Sequence, residues 1–504
     1  MSHTEGNALT RRELLGAATL ATGALLASSP LPAAPARGKP TVVVAADGSG
    51  DFGPQTPGTR TSGIQEAIEA VRAQGGGVVH LRSGAYLVDN TLPPPGEARQ
   101  QLGCGPASLR LYDDITLRGE GLDRTIIRIA ANCNTNTILA WAASRIGIED
   151  LTLDGAGRNA GYGVAIFGMG MSFADVYLRR VKATGFGGSA IAVAGGQRVV
   201  IEQCAGLASK IGFELGAPSA DYLALHCTAY GCTNGTLIFD PADQYNEAGN
   251  LRPRVIGGLY DGEGKASGVA LADCLDPVIQ GVVARRGVTT NIQISSSYRK
   301  TITTPVGGGL IESCIAEGSV GSAAGRYGIG ACQDGAQVIG CIIAGNEDVG
   351  VLAAPGDGGT VSVHDCAFRA GQGGVQRYAI LPQGRGVALQ AHGNLYDGGG
   401  QGFIASLEAL AVPGSCLSEN LHFNPVGLLP VPQVPASGEF VPNPHPFAAQ
   451  AHIHSGRVQA VFKRDLSGKT AQVGSASNLA VTLQPGEAVA VKYSQRPKWA
   501  WFGF

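Results

Sequence analysis

The chain has 504 residues, a net charge of −2 and only 15% charged residues. Because 44% of the residues are apolar and 76 are glycine, the composition excludes a disordered chain. Lys and Arg (37) nearly balance Asp and Glu (39), and no basic block is long enough to follow a phosphate backbone, so we expect no nucleic-acid partner. Eleven cysteines are too dilute for a disulfide framework, and their spacing indicates no zinc site.

Residues 1–36 have the order of a cleaved export signal. Arg11 and Arg12 precede a weakly apolar run from Leu14 to Ser29, and the small-residue site Ala34-Pro35-Ala36 follows. The run is shorter than the roughly 20 residues of a membrane span, so we expect no membrane span after cleavage. The paired arginines resemble twin-arginine signals. That resemblance implies the twin-arginine export machinery as a partner and a periplasmic or extracellular location.

The next segment predicts a capping helix. Apolar residues at positions 64, 67, 68 and 71 share one helical face, and strands are expected at Val78–Leu81 and Tyr86–Val88. A helix in this place would cover the open end of a stack of strands, whose bare edge invites aggregation. The block resembles the amino-terminal cap of pectate-lyase-like right-handed β-helices.

An internal repeat predicts the fold. Short apolar-x-apolar pieces recur every 22 to 37 residues, for example at Val164, Ile191, Phe213 and Leu237, and a second series lies about ten residues further along. This period is typical of a parallel β-solenoid. We therefore predict an all-β fold, a right-handed parallel β-helix of about 12 coils with its N-terminal cap, over residues 41–412. Frequent glycine fits the tight turns that such coils need.

Five cysteines test this register independently. Each follows the second strand series by two or three residues, and they are Cys204, Cys227, Cys314, Cys341 and Cys366. We predict an inward stack of buried thiols, because none has the positive and partly open setting of a catalytic cysteine.

The carboxyl-terminal part differs in composition. Eight prolines between Pro413 and Pro446 predict a Pro-rich linker over residues 413–450. Alternating apolar segments with a Pro485-Gly486 turn predict a small antiparallel β-module over 451–504. We expect the terminal aromatic residues to fill its core, and expect the module to close the end of the solenoid or to join chains into an oligomer.

Candidate chemistry follows three successive predicted strands. A solenoid face presents equivalent side chains about 4.8 Å apart, which suits a chain-like ligand. Removing a proton beside a uronate carboxylate requires a cation, a base and an acid. In this scheme the aspartates would contact or protonate the sugar, the arginines would neutralise its carboxylate, and the tyrosine or lysine would take or return the proton. The candidate catalytic residues are Asp240, Asp243, Arg285, Arg286, Tyr298 and Lys300.

One short motif suggests a family. Phe239-Asp240-Pro241-Ala242-Asp243 resembles the sugar-contacting Asp-Pro-His-acid motif of alginate C-5 epimerases, although Ala242 replaces the histidine and Leu237 replaces a preceding tyrosine. By analogy with such exported β-helices, the resemblance implies binding or processing of an acidic polysaccharide by lyase or epimerase-type proton abstraction. Calcium is the cofactor to consider, although Asp261-Gly262-Glu263 is a turn sequence first and a calcium ligand second.

Two other functions stay open at this point. The chain could be a non-catalytic solenoid for surface binding or assembly. It could also be a polygalacturonase-like glycoside hydrolase, for which Asp113-Asp114 is the only motif match, placed where a turn before the strand at Ile115 is expected. His452 and His454 would share one strand face as a metal pair, but no third ligand is near in sequence.

Overall fold

The computed structural model describes residues 39–504 except 95–104, 131–132, 159–160, 217, 241–247, 297–305, 321–325, 371–375, 398–400, 407–409, 411–413 and 425. The predicted export signal lies outside the described residues. No helix in the described part of the chain is long and apolar enough to cross a membrane.

The described residues form one α-helix and 46 strands. The helix is α1 (Ile64–Ala73). The first strands along the chain are β1 (Thr41–Val44), β2 (Gly77–Leu81), β3 (Gly84–Val88), β4 (Ala107–Leu111), β5 (Ile115–Arg118), β6 (Thr125–Ile129), β7 (Asn136–Trp141), β8 (Ile146–Arg158), β9 (Val164–Phe167), β10 (Phe173–Phe186), β11 (Ser189–Ala194), β12 (Gly196–Glu202), β13 (Ala205–Leu207), β14 (Ile211–Gly216), β15 (Ser219–Leu225), β16 (Thr228–Tyr230), β17 (Gly235–Phe239), β18 (Asn250–Leu251), β19 (Arg254–Ile256), β20 (Leu259–Asp261), β21 (Ser267–Ala272), β22 (Cys274–Leu275), β23 (Val278–Gln280) and β24 (Val283–Arg285).

The remaining strands continue the pattern and end in a different one. They are β25 (Thr290–Ser295), β26 (Leu310–Glu312), β27 (Ile315–Glu317), β28 (Tyr327–Cys332), β29 (Ala336–Ile339), β30 (Ile342–Ala344), β31 (Val349–Ala353), β32 (Thr360–His364), β33 (Ala367–Arg369), β34 (Tyr378–Pro382), β35 (Ala388–His392), β36 (Leu395–Tyr396), β37 (Gly402–Ile404), β38 (Cys416–Ser418), β39 (Gly427–Leu428), β40 (Phe440–Pro442), β41 (Ala449–His454), β42 (Arg457–Arg464), β43 (Thr470–Gly474), β44 (Leu479–Leu483), β45 (Ala488–Gln495) and β46 (Lys498–Gly503).

The strands up to β38 wind into a parallel β-solenoid with three faces, which confirms the predicted fold class. Face 1 is a separate sheet of twelve strands, from β4 to β37. Faces 2 and 3 are joined as one sheet of 26 strands, because the long strands β8 and β10 run from one face into the other. Within each coil the chain passes along face 1, then face 2, then face 3. Neighbouring coils pair in parallel register, for example Phe213 with Leu237 and Leu237 with Val269.

Alternating side chains explain why this sequence winds into coils. Along β14 and β17 the inward residues Phe213, Leu215, Leu237 and Phe239 are fully buried, and the residues between them point outward. Helix α1 covers the first coils through the buried residues Ile64, Gln65, Ala67, Ile68 and Val71, as the sequence predicts. The core therefore runs through the solenoid as one continuous apolar cluster.

The bend between faces 2 and 3 is made by one residue per coil in the left-handed backbone region. Examples are Gln203 (φ 53°), His226 (φ 51°) and Ser313 (φ 53°). A non-glycine residue pays a steric penalty there, and the inward residue that follows stabilises the bend by burial. In many coils this residue is cysteine, and Cys204, Cys227, Cys314, Cys341 and Cys366 are all buried, so the predicted thiol stack is confirmed.

Burial disfavours ionisation of the Cys227 thiol. The Cys227 thiol donates to the carbonyl of Ile201 at 3.3 Å, and the Cys314 thiol donates to the carbonyl of Ile279 at 3.5 Å. Burial raises the pKa of Cys227 to about 12. A thiolate nucleophile is therefore disfavoured at this position at neutral pH.

A second turn, which leads into face 2, carries charges that alternate in sign from coil to coil. We call this series the charge ladder. All members have positive φ angles, and three Arg–Asp pairs between neighbouring coils have N···O distances of 2.6 to 2.8 Å. These three Arg–Asp pairs join neighbouring coils in this way, so the ladder favours the observed register. Its members are Asp114, Arg145, Asp175, Arg198, Asp221, Arg252 and Asp276.

Removing the first acid of the ladder should weaken the acid sensitivity of the fold. The Arg145 hydrogen bond, helped by Lys39 and opposed by partial burial, lowers the pKa of Asp114 to about 2. A lowered pKa means that the stabilisation is present above pH 4 and is lost as the pH falls towards 2. As the pH falls from 4 towards 2, we expect Asp114→Asn to lose about 1–2 kcal/mol less of its free energy of unfolding than the wild type does.

Urea unfolding of both proteins at pH 5 and pH 2.5 measures this difference. Asp123→Asn is the control, because the Asp123 carboxylate is 88% exposed. An equal pH dependence in the wild type and in Asp114→Asn would contradict the role given to the charge ladder.

The C-terminal module consists of two antiparallel four-stranded sheets, in the orders β39-β46-β41-β44 and β40-β45-β42-β43. Trp499 and Trp501 are buried in its core, as expected, whereas Phe504 is 46% exposed. The module packs at the end of the solenoid, where the ring centroids of Phe423 and Phe447 lie 6.4 Å apart and the Asn424 amide donates to the carbonyl of Phe504 at 2.9 Å.

The Pro-rich segment differs from the expected linker. Its strands β39 and β40 pair with β46 and β45, so part of residues 413–450 belongs to the module. The prolines that the structure describes in this segment lie between the strands or, like Pro442, at the end of an edge strand, where a missing N–H breaks no central ladder.

Candidate functional site

A low strip, which we call the trough, runs along the outer surface of face 1. Its partly exposed small residues are Ala194, Ala270 and Ala272, whereas Ala192 and Gly216 are buried and the larger Ile238 points outward on β17. At Gly216 the fit is tight, because an added Cβ would lie 2.8 Å from the Cβ of Ala194. A chain-like ligand could therefore approach the backbone of face 1 closely at the three exposed alanines.

Glu214 projects into the trough. Its neighbours in β14, Phe213 and Leu215, are fully buried inward residues, so Glu214 points outward and is half-buried. The Ser189 hydroxyl, one coil earlier, donates a short hydrogen bond to its carboxylate. This contact fixes one carboxylate oxygen, because Ser189 is itself buried.

Asp240 projects into the trough one coil later. It follows the inward residue Phe239, and its Oδ2 lies 3.9 Å from the position that a Cβ on Gly216 would occupy. The backbone at this position is fixed: the Asp240 N–H donates to the carbonyl of Leu215 at 2.7 Å, and the buried Asn250 amide donates to the Asp240 carbonyl at 3.0 Å. Asp240 is therefore held at the edge of face 1 by groups that do not engage solvent.

The spacing of the two acids follows from the strand register. Glu214 pairs with Ile238, and Asp240 lies two residues further along the next strand. One strand step of about 4.8 Å and two residues of about 3.3 Å each place their backbone positions about 8 Å apart. Two outward acids thus lie on adjacent strands, with the outward side chain of Ile238 between them.

An aromatic cluster lies at the N-terminal end of the same outer surface. Tyr162 and Phe167 meet edge to face with ring centroids 5.7 Å apart, and Trp141 packs against the same cluster. Trp141 and Tyr162 are partly exposed, whereas Phe167 is 7% exposed. Partly exposed aromatic rings beside a trough are suited to stacking on the apolar face of a ring-shaped ligand.

The predicted arginines lie elsewhere. The Nε atoms of Arg285 and Arg286 each lie 2.8 Å from the carboxylate of Asp261, whose side chain is only 4% exposed. Burial of Asp261 opposes ionisation, but the hydrogen bond from Arg286 and the charges of both arginines lower its pKa overall. These arginines are therefore engaged in a partly buried ion-pair cluster, which also fixes the turn at Asp261.

Topology separates this cluster from Asp240. Arg285 ends β24 on face 3, just before the chain enters face 1, whereas Asp240 directly follows a strand of face 1. The two groups lie at opposite edges of face 1, whose five to six residues per strand span about 16–20 Å. The expectation that they share one site is therefore wrong, because neighbouring coils were compared without distinguishing the two ends of a strand.

The other predicted site residues have different outcomes. Asp243, Tyr298 and Lys300 lie outside the described residues, so they stay predictions. Asp113 accepts a hydrogen bond from the Ser144 N–H at 2.6 Å and Asp114 belongs to the charge ladder, so this pair is structural.

Metal binding has no candidate cluster in the described part of the chain. No group of three or more His, Cys, Asp or Glu side chains is placed there to hold an ion. In the C-terminal module the His452 ring contacts the amide oxygen of Gln450 at 2.7 Å. The Asp261 carboxylate, the calcium ligand considered from sequence, is occupied by its two arginines.

Glu214 was missed by sequence reasoning. Candidate acids were sought after predicted strands, and Glu214 lies inside one, between Phe213 and Leu215. The available signal was a charged residue at an outward position of a strand whose neighbours in the stack, Ala192 and Ile238, are apolar. Small outward residues on both sides could have marked the trough.

Comparisons with known proteins identify local relatives. No family model matches the chain. It is 35% identical over 98 residues to mannuronan C5-epimerase AlgE1 of Azotobacter vinelandii, a stretch that covers 18% of this chain and 6% of that protein. It is 34% identical over 113 residues to AlgE4 of the same organism, covering 21% of this chain and 19% of that protein. The matches thus span a small part of each relative's length.

Solved structures give a likeness at the level of the fold. The AlgE6 A-module of Azotobacter vinelandii aligns with a TM-score of 0.48 and 18% identity, covering 71% of this chain and 93% of that one. The AlgE4 A-module aligns with a TM-score of 0.46 and 19% identity, covering 71% and 95%. The strand topology makes the chain a parallel β-helix, and its local sequence matches resemble alginate epimerases.

Proposed function

We propose that this protein binds an acidic polysaccharide in the trough of face 1 and processes it by proton abstraction at a uronate ring. The observation that carries the proposal is the juxtaposition of Glu214 and Asp240 on the outer surface of face 1. The local similarity to four mannuronan C5-epimerases supports uronate polymers as the substrate class.

Proton abstraction at C-5 of a uronate gives an anion that is stabilised across the ring carboxylate. Epimerisation then returns a proton to the opposite face, and elimination instead expels the 4-linked sugar. Two acids whose backbone positions lie about 8 Å apart can flank a sugar ring from two sides, so one can act on the proton and the other on the ring substituents.

The uronate carboxylate needs a cation, and the structure assigns Arg285 and Arg286 to Asp261. Lys300, which follows β25 in the sequence, is the remaining predicted candidate. Tyr298 and Asp243 keep their predicted roles as proton carrier and sugar contact.

The test is incubation of the full chain with polymannuronate, polyguluronate, polygalacturonate and neutral glucans. Absorbance near 230 nm reports the unsaturated ends of elimination, and proton NMR reports inverted C-5 centres. We expect one of these signals with a uronate polymer and none with neutral glucans. Affinity electrophoresis on the same polymers separates binding without turnover from no binding. Failure of every uronate polymer in both assays would contradict the proposal.

A glycoside hydrolase is the second candidate, because it also needs two carboxyl groups on one surface, and Glu214 and Asp240 both lie at outward positions of face 1. Inverting hydrolases hold their two carboxyl groups about 6.5–9.5 Å apart, leaving room for a water molecule. New reducing ends without absorbance near 230 nm, together with inverted anomeric configuration, would identify hydrolysis and exclude epimerase and lyase chemistry.

A further inference from the structure

Face 3 carries an uninterrupted apolar stripe on its outer surface. One partly exposed residue from each of six strands in register forms it, while the next residue along each strand points into the core. The stripe spans five strand steps, or about 24 Å. Its residues are Leu259, Val283, Ile315, Ile342, Ala367 and Leu395.

The outer surface of face 2 is different. Its outward positions on the corresponding strands mix aliphatic and polar residues, for example Ile256, Gln280 and Glu312 in register. Outward aliphatic residues on face 3 are therefore not a general property of the solenoid.

Two residues further along the first strand of the stripe lies the buried Asp261, which pairs with Arg285 and Arg286. On the other five strands the equivalent position forms a row that borders the stripe. The central residue of the row is uncharged. Any two residues at equal distances on either side of it carry charges of opposite sign. Glu317, Arg369 and Asp397 form no ion pair with any other residue in the described ranges. Arg285 and Arg286 share the carboxylate of Asp261, and the charge of Glu263 also acts on Arg286. In order the row is Arg285, Glu317, Ala344, Arg369 and Asp397.

We propose that a second copy of this chain packs on the stripe with the two solenoids antiparallel. The two-fold axis would lie between the two copies and run parallel to β30. Rotation about this axis places the stripe of one copy on the stripe of the other and reverses the order of the coils. Glu317 then faces Arg369 of the partner subunit, and Arg285 faces Asp397 of the partner subunit. Ala344 meets its own copy at the axis, where an uncharged residue is required because a charge would meet itself.

The charge pattern selects this arrangement over the parallel one. If the solenoids ran in the same direction, the two charge rows would lie on opposite flanks of the apolar contact and gain no pairing. If the axis passed one coil away from β30, Arg285 or Arg369 would lose its acidic partner. Complementary charges of this kind mainly set register and association rate.

The size of the stripe predicts a weak dimer. A strip of about 24 Å by 10 Å offers about 240 Å² per copy, whereas a standard stable interface buries about 800 Å² per partner. Association is therefore expected at high protein concentration, and it should weaken at high salt because exposed charge pairs are screened.

Sedimentation of the full chain over a concentration series tests the proposal. Ile342→Lys, which places like charges at the axis, should abolish dimers. Glu317→Arg and Arg369→Glu should each raise the dissociation constant at least tenfold, and the double charge reversal should restore it to within about threefold of wild type. Val278→Lys on face 2, partly exposed to a similar degree, is the control and should leave the dissociation constant unchanged.

Three outcomes would overturn the proposal. They are a chain that stays monomeric at millimolar concentration in low salt, a dimer that tolerates Glu317→Arg, and a double reversal that fails to recover association. A dimer formed through the C-terminal module would give the second of these outcomes. The thermal unfolding midpoint of each variant should equal that of the wild type. Equal midpoints would show that the substitutions act on the surface contact and not on the stability of the fold.

Discussion

Asp240→Asn is expected to lower turnover of the polymer about 10²–10⁴-fold, because the amide can neither take nor deliver the proton that the reaction moves. Affinity should change little, since the exposed alanines of the trough and the aromatic cluster are untouched. Glu214→Gln should cause a loss of similar size if the two acids act on opposite sides of one ring. The fold-loss of rate in the double variant should then be smaller than the product of the two single losses, because the residues act as a unit.

Initial rates by proton NMR measure these effects. Asp123→Asn, an exposed acid far from face 1 in the fold, is the matched control and should retain the wild-type rate. Full activity in Asp240→Asn would place the chemistry outside the trough. If Glu214→Gln keeps full activity while Asp240→Asn loses it, Asp240 takes part in the reaction and Glu214 does not.

Phe239→Ala is expected to destabilise the solenoid by about 3–5 kcal/mol. Phe239 is a fully buried inward residue beside Asp240, and its ring lies 6.2 Å from that of Tyr222 across the core. Removing it leaves a cavity that the stacked coils cannot close without shifting their register. Because each coil contacts mainly its neighbours, the loss should concentrate in β14, β17 and β21.

Urea unfolding combined with amide hydrogen exchange measures both the size and the location of this effect. Phe239→Leu keeps most of the volume and should cost about 1 kcal/mol. Uniform loss of protection along the whole solenoid would contradict the local character of the coils, and an unchanged midpoint would contradict the inward position of Phe239.

The fold could be predicted from the sequence because its signals repeat. Apolar pairs such as Phe213 and Leu215 recur in every coil, and the cysteines confirm the register independently, so errors at one coil are corrected by the next. The helix at Ile64–Ala73 was equally predictable from its apolar face. The role of strands within the Pro-rich segment was not, since β39 and β40 gain their partners only from the distant C-terminal strands.

The candidate site was predictable only in part. Asp240 was found because it follows a clear strand, but the ends of a strand look alike in sequence and lie at opposite edges of a face. Arg285 and Arg286 were therefore assigned to the wrong edge. Their actual partner, Asp261, comes from the preceding coil, and no local pattern shows that two arginines converge on one buried carboxylate.

The charge ladder has a consequence for how such a solenoid can change its length. Deleting or duplicating a single coil between Asp114 and Asp276 would bring two acids or two guanidinium groups into adjacent positions, whereas gain or loss of two coils keeps every neighbour opposite in sign. In this part of the chain, growth by pairs of coils is therefore electrostatically tolerated and growth by one is resisted.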